Sequence, residues 1–403
     1  MELACRREAK APVASTIHAS MNSFDTVIVG AGIAGASLAW RLSQPGAMQR
    51  SVLLLERESQ PGAHATGRSA AMFMESYGPA GARALTRASR AFYERPPPGF
   101  TDVALLAPRG ALYVAARGEE AALAALEAEL RNTGTLIDRL DNAATLKMLP
   151  CLRSERMAGA LYERDAQDID VHALHQGFLR GARRAGLALW LDADLVVAAH
   201  NGTRWTITLA DGRVVQANHI VDAAGAWADD VAARCGVAAL GLVPRRRSAF
   251  TFDAPPGIAI AHWPVAAGID ETDGWYFKPD AGRLLGSPAN ADATVPHDVR
   301  PEELDIALGI ARIEAATTLT IRRPASTWAG LRTFSPDGEL VIGPDPHQPA
   351  FFWLAGQGGY GIQSAAGASM LAASVLAGLR LPDELAVQGV RAEAMAPGRL
   401  RGR

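Results

Sequence analysis

The feature that most constrains the fold of this chain lies in residues 25–56. Asp25-Thr-Val-Ile-Val29 has the β-branched character of a short buried strand, and Gly30-Ala-Gly32-Ile33-Ala34-Gly35 follows without a gap. An alanine-rich segment to about residue 42 has helical character, and a second apolar run, Val52-Leu-Leu-Leu55, ends on Glu56. Strand, glycine turn, helix, strand and acid in that order predict a dinucleotide-binding βαβ unit. In such a unit Gly30 permits the tight turn, Gly32 lets a pyrophosphate approach the backbone, and Gly35 lets helix and strand sit close together. The phosphates lie at the helix N-terminus, where unpaired N–H groups and the helix dipole favour anions. Glu56 stands 26 residues beyond Gly30, a little past the usual spacing of about 20. Its carboxylate suits ribose hydroxyls, and its charge argues against a 2′-phosphate.

Composition narrows the rest. With 403 residues and 49% apolar content, the chain can bury a large core divided between two domains. A formal charge of −2 and a pI near 6.5 leave no basic footprint for nucleic acid. Cys5, Cys151 and Cys235 fall in no C-x-x-C or metal-ligand spacing, and so sparse a count fits a reducing, cytoplasmic setting. No apolar run reaches the roughly 18 residues of a membrane span. Residues 1–21 lack the apolar core of a secretory signal and read as a disordered leader, with Met21 as an alternative start.

Further along, residues 57–71 hold Arg57, Thr66, Gly67, Arg68, Ser69 and Ala70. Such small residues let backbone pass close to a planar ligand, with Arg68 and Ser69 available to phosphates; an ordinary surface loop fits the same residues. Helices are expected over 82–94 and 119–131, with Arg95-Pro-Pro-Pro-Gly99 as a break. Neither suits a parallel sheet, so this block opens an inserted domain. A helix over 174–185 precedes a strand over 190–197. His172 and His175 have no third ligand, which favours packing over a metal site. Residues 205–209 and 214–221 flank Asp211-Gly212 as a hairpin. A final strand, 351–354, meets Gly356-Gln-Gly358-Gly359-Tyr360-Gly361-Ile362 and then a helix over 363–379. No second complete βαβ unit with its acid follows, which favours one cofactor over two.

The resulting fold class is α/β. A Rossmann-like cofactor domain is expected from 22–78, 165–240 and 330–395. An α+β substrate domain with a mixed or antiparallel sheet is expected from 79–164 and 241–329, leaving 396–403 as a tail.

Several motifs occur in order: Gly30 to Gly35, Leu54-Leu-Glu-Arg57, Thr66-Gly-Arg-Ser-Ala-Ala71, Tyr77-Gly78, Ile169-Asp-Val-His-Ala-Leu-His-Gln176 and Asp222-Ala-Ala-Gly-Ala-Trp227. Arg246-Arg-Ser-Ala-Phe250, Tyr276-Phe-Lys-Pro279, Gly286-Ser-Pro-Ala-Asn290, Ala329-Gly-Leu-Arg332 and Gln357-Gly-Gly-Tyr-Gly-Ile362 continue the series. Together they resemble the FAD-dependent D-amino-acid oxidase and dehydrogenase superfamily, which includes glycine and sarcosine oxidases, and most of all its bacterial D-arginine dehydrogenase branch. The resemblance implies non-covalent FAD. To the residues already named for the cofactor it adds Val196, Ala224, Gly225, Trp227 and Gly330, with the C-terminal glycine cluster at the polar edge of the isoalloxazine.

It also implies oxidation of a D-amino acid at Cα, giving an imino acid and then a 2-oxo acid and ammonia. The electron acceptor would be a quinone or other carrier, or O2; an O2-using D-amino-acid or sarcosine-type oxidase is the alternative. A flavin-bearing partner in RNA modification fits the acidic balance poorly, and an NADPH reductase would need the second nucleotide unit. Two arginines suit a substrate carboxylate, because guanidinium forks match it with paired hydrogen bonds. The resemblance assigns that role to Arg247 and Arg332, although Arg245-Arg246-Arg247 also fits a solvated charge run. It further implies that Tyr276 assists the carboxylate, that Tyr77 covers the substrate, and that Gly330 and Gly359 offer carbonyls to its amine. Both tyrosines also suit core packing. Branch members that take cationic side chains carry a carboxylate where this chain has Ala111. Met72, Met74, Val265 and Ala267 add apolar surface, so apolar side chains are expected to be preferred.

Overall fold

The computed structural model describes residues 22–44, 51–270 and 274–401; the expected leader over 1–21 lies outside them. β1 (Asn22–Val29), α1 (Ile33–Ser43) and β2 (Val52–Leu55) form where the glycine motif places them. β1 and β2 are parallel, with Thr26 opposite Val52 and Val29 opposite Leu55. Parallel pairing extends from β2 to Ala188–Trp190, and from β1 through Val214–Asp222 to Phe351–Ala355. These inner strands are covered on both faces, which is why they read as continuous Val, Ile and Leu runs rather than as alternation. The hairpin forms as expected, Trp205–Leu209 running antiparallel to Val214–Asp222.

On one side of this sheet α1 shares a core with the helices Val171–Arg184 and Ala365–Leu376. α2 (Ala80–Glu94) packs there too, contributing Ala82, Leu85 and Tyr93 to that core. Gly367 permits the contact: its N–H donates to Ser89 Oγ at 2.9 Å, and a Cβ there would stand 2.5 Å from the Leu85 carbonyl oxygen. The boundary expected at residue 79 is therefore displaced, because α2 returns to the cofactor side. Amphipathic spacing showed which face of this helix is buried, not which helix covers it.

The strand expected over 190–197 is two strands, Ala188–Trp190 and Leu195–His200. Between them the chain turns through Asp192 at a φ of +49°.

Among the described residues the second sheet has nine strands. Val243–Phe252 is flanked by Ser326–Phe334 and by Arg283–Ser287. The sheet continues through Tyr276–Asp280, Val265–Gly268, Ala111–Ala116 and Met157–Glu163 to Ile137–Leu140. Among the described residues only the pairing of Val265–Gly268 with Ala111–Ala116 is parallel, so the sheet is mixed. Strand Ser326–Phe334 runs across the boundary expected at 330, which places the start of the last cofactor segment beyond Phe334. Phe250, Phe252, Phe277, Leu284 and Ile313 fill the space under helix Glu303–Ala316 on the back of the sheet. The front faces the cofactor sheet, and the site lies between them.

Candidate active site

The N-terminus of α1 is capped from outside. Gly32 has no side chain to cap the helix, and Thr66 Oγ1 instead accepts the Ile33 N–H at 3.0 Å. Glu56 Oε2 accepts the Ala31 N–H at 3.0 Å, and Oε1 accepts the Glu58 N–H at 3.0 Å. Burial pushes the Glu56 carboxyl above its ordinary range, against these two hydrogen bonds. A carboxylate has about four lone-pair sites, so Glu56 retains acceptors for a ribose. Gly30, at a φ of +99°, makes the turn; a Cβ there would lie 2.6 Å from the Ala223 carbonyl oxygen. His175, expected to be a packing residue, is buried and pairs its Nε2 with the Ala31 carbonyl at 2.8 Å.

A single elongated cavity runs from this turn to the front of the second sheet. Gly30, Gly32, Ile33, Ala34, Glu56, Arg57, Thr66, Arg68, Ser69, Ala70, Ala224, Gly225 and Trp227 line one part of it. Arg247, Tyr276, Gly330, Arg332, Gly358, Gly359, Gly361 and Ile362 line the other. Gly35 and Gly67 lie behind the wall, where added Cβ atoms would strike the carbonyls of Gly30 and Gly62.

Two expectations need correction. Val196 points outward at 48% exposure, and the wall there is Ala193, Asp194 and Leu195. The strand starts at Leu195 and its pairing is irregular between Leu195 and Val197, which leaves Val196 and Val197 both facing outward. Arg68 borders the cavity, yet its guanidinium is tied to Asp298 at 2.5 Å, the Val299 carbonyl at 3.1 Å and the Ala329 carbonyl at 3.3 Å. It joins the two halves of the molecule rather than being held ready for a phosphate.

His64, Asp230 and Arg234 also line the cavity and were not singled out from the sequence. His64 bonds Glu58 at 2.8 Å and packs 4.7 Å from the Trp227 ring, over which Arg57 sits at 4.1 Å. No local pattern marks these residues: Trp227, which His64 packs against, and Asp194, which pairs with Arg234, come from separate segments.

Strand register accounts for the other end of the site. Cross-strand partners share a face and alternate residues change it. Arg247 pairs with Gly330 and Arg245 with Arg332; Ala267 pairs with Tyr276 and with Tyr113; Val265 pairs with Ala111. The front face therefore carries Arg332, Arg247, Tyr276, Ala267, Val265, Ala111 and Tyr113. Alternation also resolves the arginine run. Arg246 turns to the back, where it meets Asp305 at 2.9 Å, Asp292 at 3.4 Å and Glu302.

Arg247 and Arg332 are half-buried, and among the described residues neither has a carboxylate partner. Arg332 Nη1 donates to the Tyr77 hydroxyl oxygen at 3.2 Å, and Arg247 Nε donates to the Asn290 carbonyl with Tyr276 close by. Removal from water, then repulsion by Arg332, holds the Arg247 pKa down to about 10. Burial pushes the Tyr77 hydroxyl up, but the charges of Arg332 and Arg247 outweigh it and leave the group below its ordinary value. Tyr77 and Tyr360 pack edge to face at 5.1 Å. Gly359 makes room beside them, since a Cβ there would stand 3.0 Å from the Tyr77 hydroxyl and 3.1 Å from Arg332 Nη1.

The family model described as FAD dependent oxidoreductase (DAO) matches residues 25–375. The chain belongs to this family. Mitochondrial dimethylglycine dehydrogenase of Rattus norvegicus is 26% identical over 364 residues, which cover 85% of this chain and 42% of that protein. The chain thus spans about two fifths of the length of that relative. Glycine oxidase from Geobacillus kaustophilus has the same fold, with a TM-score of 0.76 and 22% identity over 92% of this chain and 99% of that one. L-Proline dehydrogenase from P. horikoshii gives a TM-score of 0.80 and 17% identity over 94% and 98%.

FAD is the cofactor of the family, and the cavity fits it. The glycine turn leaves room for a pyrophosphate at Gly32, where a Cβ would stand 3.2 Å from Thr66 Oγ1. Glu56 lies at the end suited to a ribose. Cys151 and Cys235 are buried and do not line the cavity. Among the described residues no three His, Cys, Asp or Glu could hold a metal ion together, and no helix is long and apolar enough to cross a membrane.

Asp222 lies just behind this wall, fully buried. One oxygen accepts the Ala224 N–H at 3.0 Å and the other has no partner among the described residues. Burial, with the Asp229 charge adding to it, pushes its carboxyl well above the ordinary value. An unfolded aspartate releases its proton near about pH 3.9, whereas the folded one keeps it to higher pH. Between those two points the unfolded state binds fewer protons, so stability falls as pH rises. Asp222→Asn should therefore melt several degrees above the parent protein at pH 8. The two should converge below about pH 4. Thermal denaturation across that range checks this, and an equal gap at every pH would refute it.

Proposed function

We propose that this family member oxidises free D-amino acids, as the resemblance to the D-arginine dehydrogenase branch implies, and prefers apolar side chains. The observation that carries the proposal is the pair Arg247 and Arg332, set side by side in the cavity with no carboxylate partner among the described residues. Two cations held out of water favour an anion between them, and a planar carboxylate meets both forks with paired hydrogen bonds. Tyr276 and Tyr77 stand at the two guanidinium groups and add hydroxyl contacts to that anion. Gripping the carboxyl end fixes Cα within the cavity and replaces a chance encounter with a set geometry. FAD, when bound, supplies the acceptor for the hydride that leaves Cα. The neutral amine becomes an imine, which water hydrolyses to the 2-oxo acid and ammonia. A quinone or other carrier, or O2, takes the electrons in turn; hydrogen peroxide formed per turnover separates an oxidase from a dehydrogenase.

The preference for apolar side chains rests on a second group of contacts. Met72, Met74, Ala111 and Val265 cluster with Ala166 and Tyr113. Ala267 lies beside this cluster, opposite Tyr276 and Tyr113. Two acids stand near this cluster: Asp168 is already paired with Lys278 at 2.7 Å and Arg109 at 2.7 Å, and Glu163, opposite Ala111, has its two oxygens engaged by the Glu75 N–H and the Ser76 hydroxyl. A cationic side chain would have to draw one of these acids away from its present partners or enter unpaired, at a cost of several kcal/mol. D-Leucine should therefore exceed D-arginine in kcat/KM by at least about 10-fold, since 1.4 kcal/mol makes a factor of ten. A clear preference for D-arginine would refute the apolar reading. Ala111→Glu should move the ratio toward D-arginine. Because Ala111 stands opposite Glu163 in the sheet, this variant is best judged by the ratio of the two substrates.

A further inference from the structure

We propose that Glu163 is a positioning residue that holds Tyr77 against the arginine pair; this rests on reading that pair as a carboxylate clamp. Glu163 ends strand Met157–Glu163 and is 1% exposed. Both of its oxygens bind the segment that carries Tyr77. Oε1 accepts the Glu75 N–H at 2.9 Å, and Oε2 accepts the Ser76 hydroxyl. Ser76 Oγ also meets the Tyr113 hydroxyl at 2.5 Å. The two residues just before Tyr77 are thus tied to the front of the second sheet.

The far side of the segment is held by the cofactor half. Gln363 Nε2 donates to the Tyr77 carbonyl at 3.1 Å and to Thr86 Oγ1 at 3.0 Å. Beyond it the chain turns at Gly78, with a φ of +106° and the Tyr360 ring where a Cβ would stand. Between these two anchors the Tyr77 hydroxyl reaches Arg332. No cation pairs with Glu163 among the described residues: Arg90 bonds Glu75 at 2.7 Å and Glu94 at 3.3 Å instead. Keeping an unpaired acid out of water is costly. What a carboxylate offers here is two oxygens that only accept, matched to two donors in adjacent residues; an amide would turn a donor toward one of them. Glu163 touches no reacting atom and acts through Tyr77.

The test is a double-mutant cycle in the holoenzyme, with D-leucine as substrate and acetate as a ligand that does not turn over. Glu163→Gln should raise KM for D-leucine and the acetate Kd by about 10-fold with little change in kcat, as loss of about 1.4 kcal/mol of binding would. Ser76→Ala should act in the same direction. In a Tyr77→Phe background Glu163→Gln should add almost nothing, because its effect passes through the lost hydroxyl. Independent, multiplying effects would overturn the proposal. Amide hydrogen exchange supplies a readout that needs no substrate: in Glu163→Gln, residues 74–78 should exchange faster while the rest of the sheet is unchanged. Unchanged exchange there overturns the proposal as well. Failure of the clamp reading shows differently, as acetate that does not bind the parent protein, and the exchange result still decides the role of Glu163.

Discussion

Replacing Arg332 with alanine is expected to lower kcat/KM for the amino-acid substrate by about 1000-fold. The size follows from leaving a desolvated carboxylate short of a partner, about 3–5 kcal/mol, with each 1.4 kcal/mol worth a factor of ten. Both constants should suffer, since in the proposed clamp the same contact would bind the carboxyl end and orient Cα. Arg332→Lys should recover little, because one ammonium cannot reproduce the planar fork. The free protein should not be destabilised. Arg332 has no acidic partner among the described residues, and its removal relieves the repulsion that holds the Arg247 pKa down to about 10. A Tyr77 hydroxyl that loses the donor 3.2 Å away would at most become more mobile. Steady-state kinetics and thermal melting check both halves together. Activity within about 10-fold of the parent, equivalent to only about 1.4 kcal/mol, would remove Arg332 from the clamp.

The second large effect separates two glycines of one motif. A Cβ on Gly35 would stand 1.9 Å from the Gly30 carbonyl oxygen, a backbone atom fixed by the turn itself. Helix α1 would have to lift from β1, at a cost above about 3 kcal/mol for overpacking a close contact. Gly35→Ala should therefore be recovered insoluble or colourless. A Cβ on Gly32 meets only the Thr66 hydroxyl, at 3.2 Å, and a side chain can give way. Gly32→Ala should fold with near-parental stability yet hold FAD more weakly, because the methyl enters the space above the helix N-terminus. Flavin absorbance per mole of protein, with melting temperatures of both variants, distinguishes the two. A yellow Gly35→Ala protein of full thermal stability would contradict the account of α1 packing.

The corrected details share a pattern. Residues 190–197 contain enough apolar character for one strand, and the turn through Asp192 that divides them leaves only a faint local trace. Val196 then faces outward at an irregularity in the pairing between Leu195 and Val197. Arg68 looks like a phosphate ligand within its own segment; Asp298 and the carbonyls that claim it come from residues more than 200 positions away. Helix α2 was legible as a helix, but Gly367, which brings the helices into contact, is just as remote.

By itself the sequence determined what depends on neighbours along the chain. The β1–α1–β2 unit, the glycines whose conformations it needs, the hairpin at Gly212 and the alternation that separates Arg246 from Arg247 are of this kind. Backbone sterics and the two-residue repeat of a strand act over a few residues, so their marks stay local. Only the tertiary structure decided which faces meet. Arg247, Arg332, Tyr276 and Ala111 come to one surface through the register of six strands, and Glu163 reaches Ser76 from the opposite side of the segment that carries Tyr77. A one-residue slip in any of those pairings would turn these side chains to the other face, and nothing local to each strand says which pairing wins.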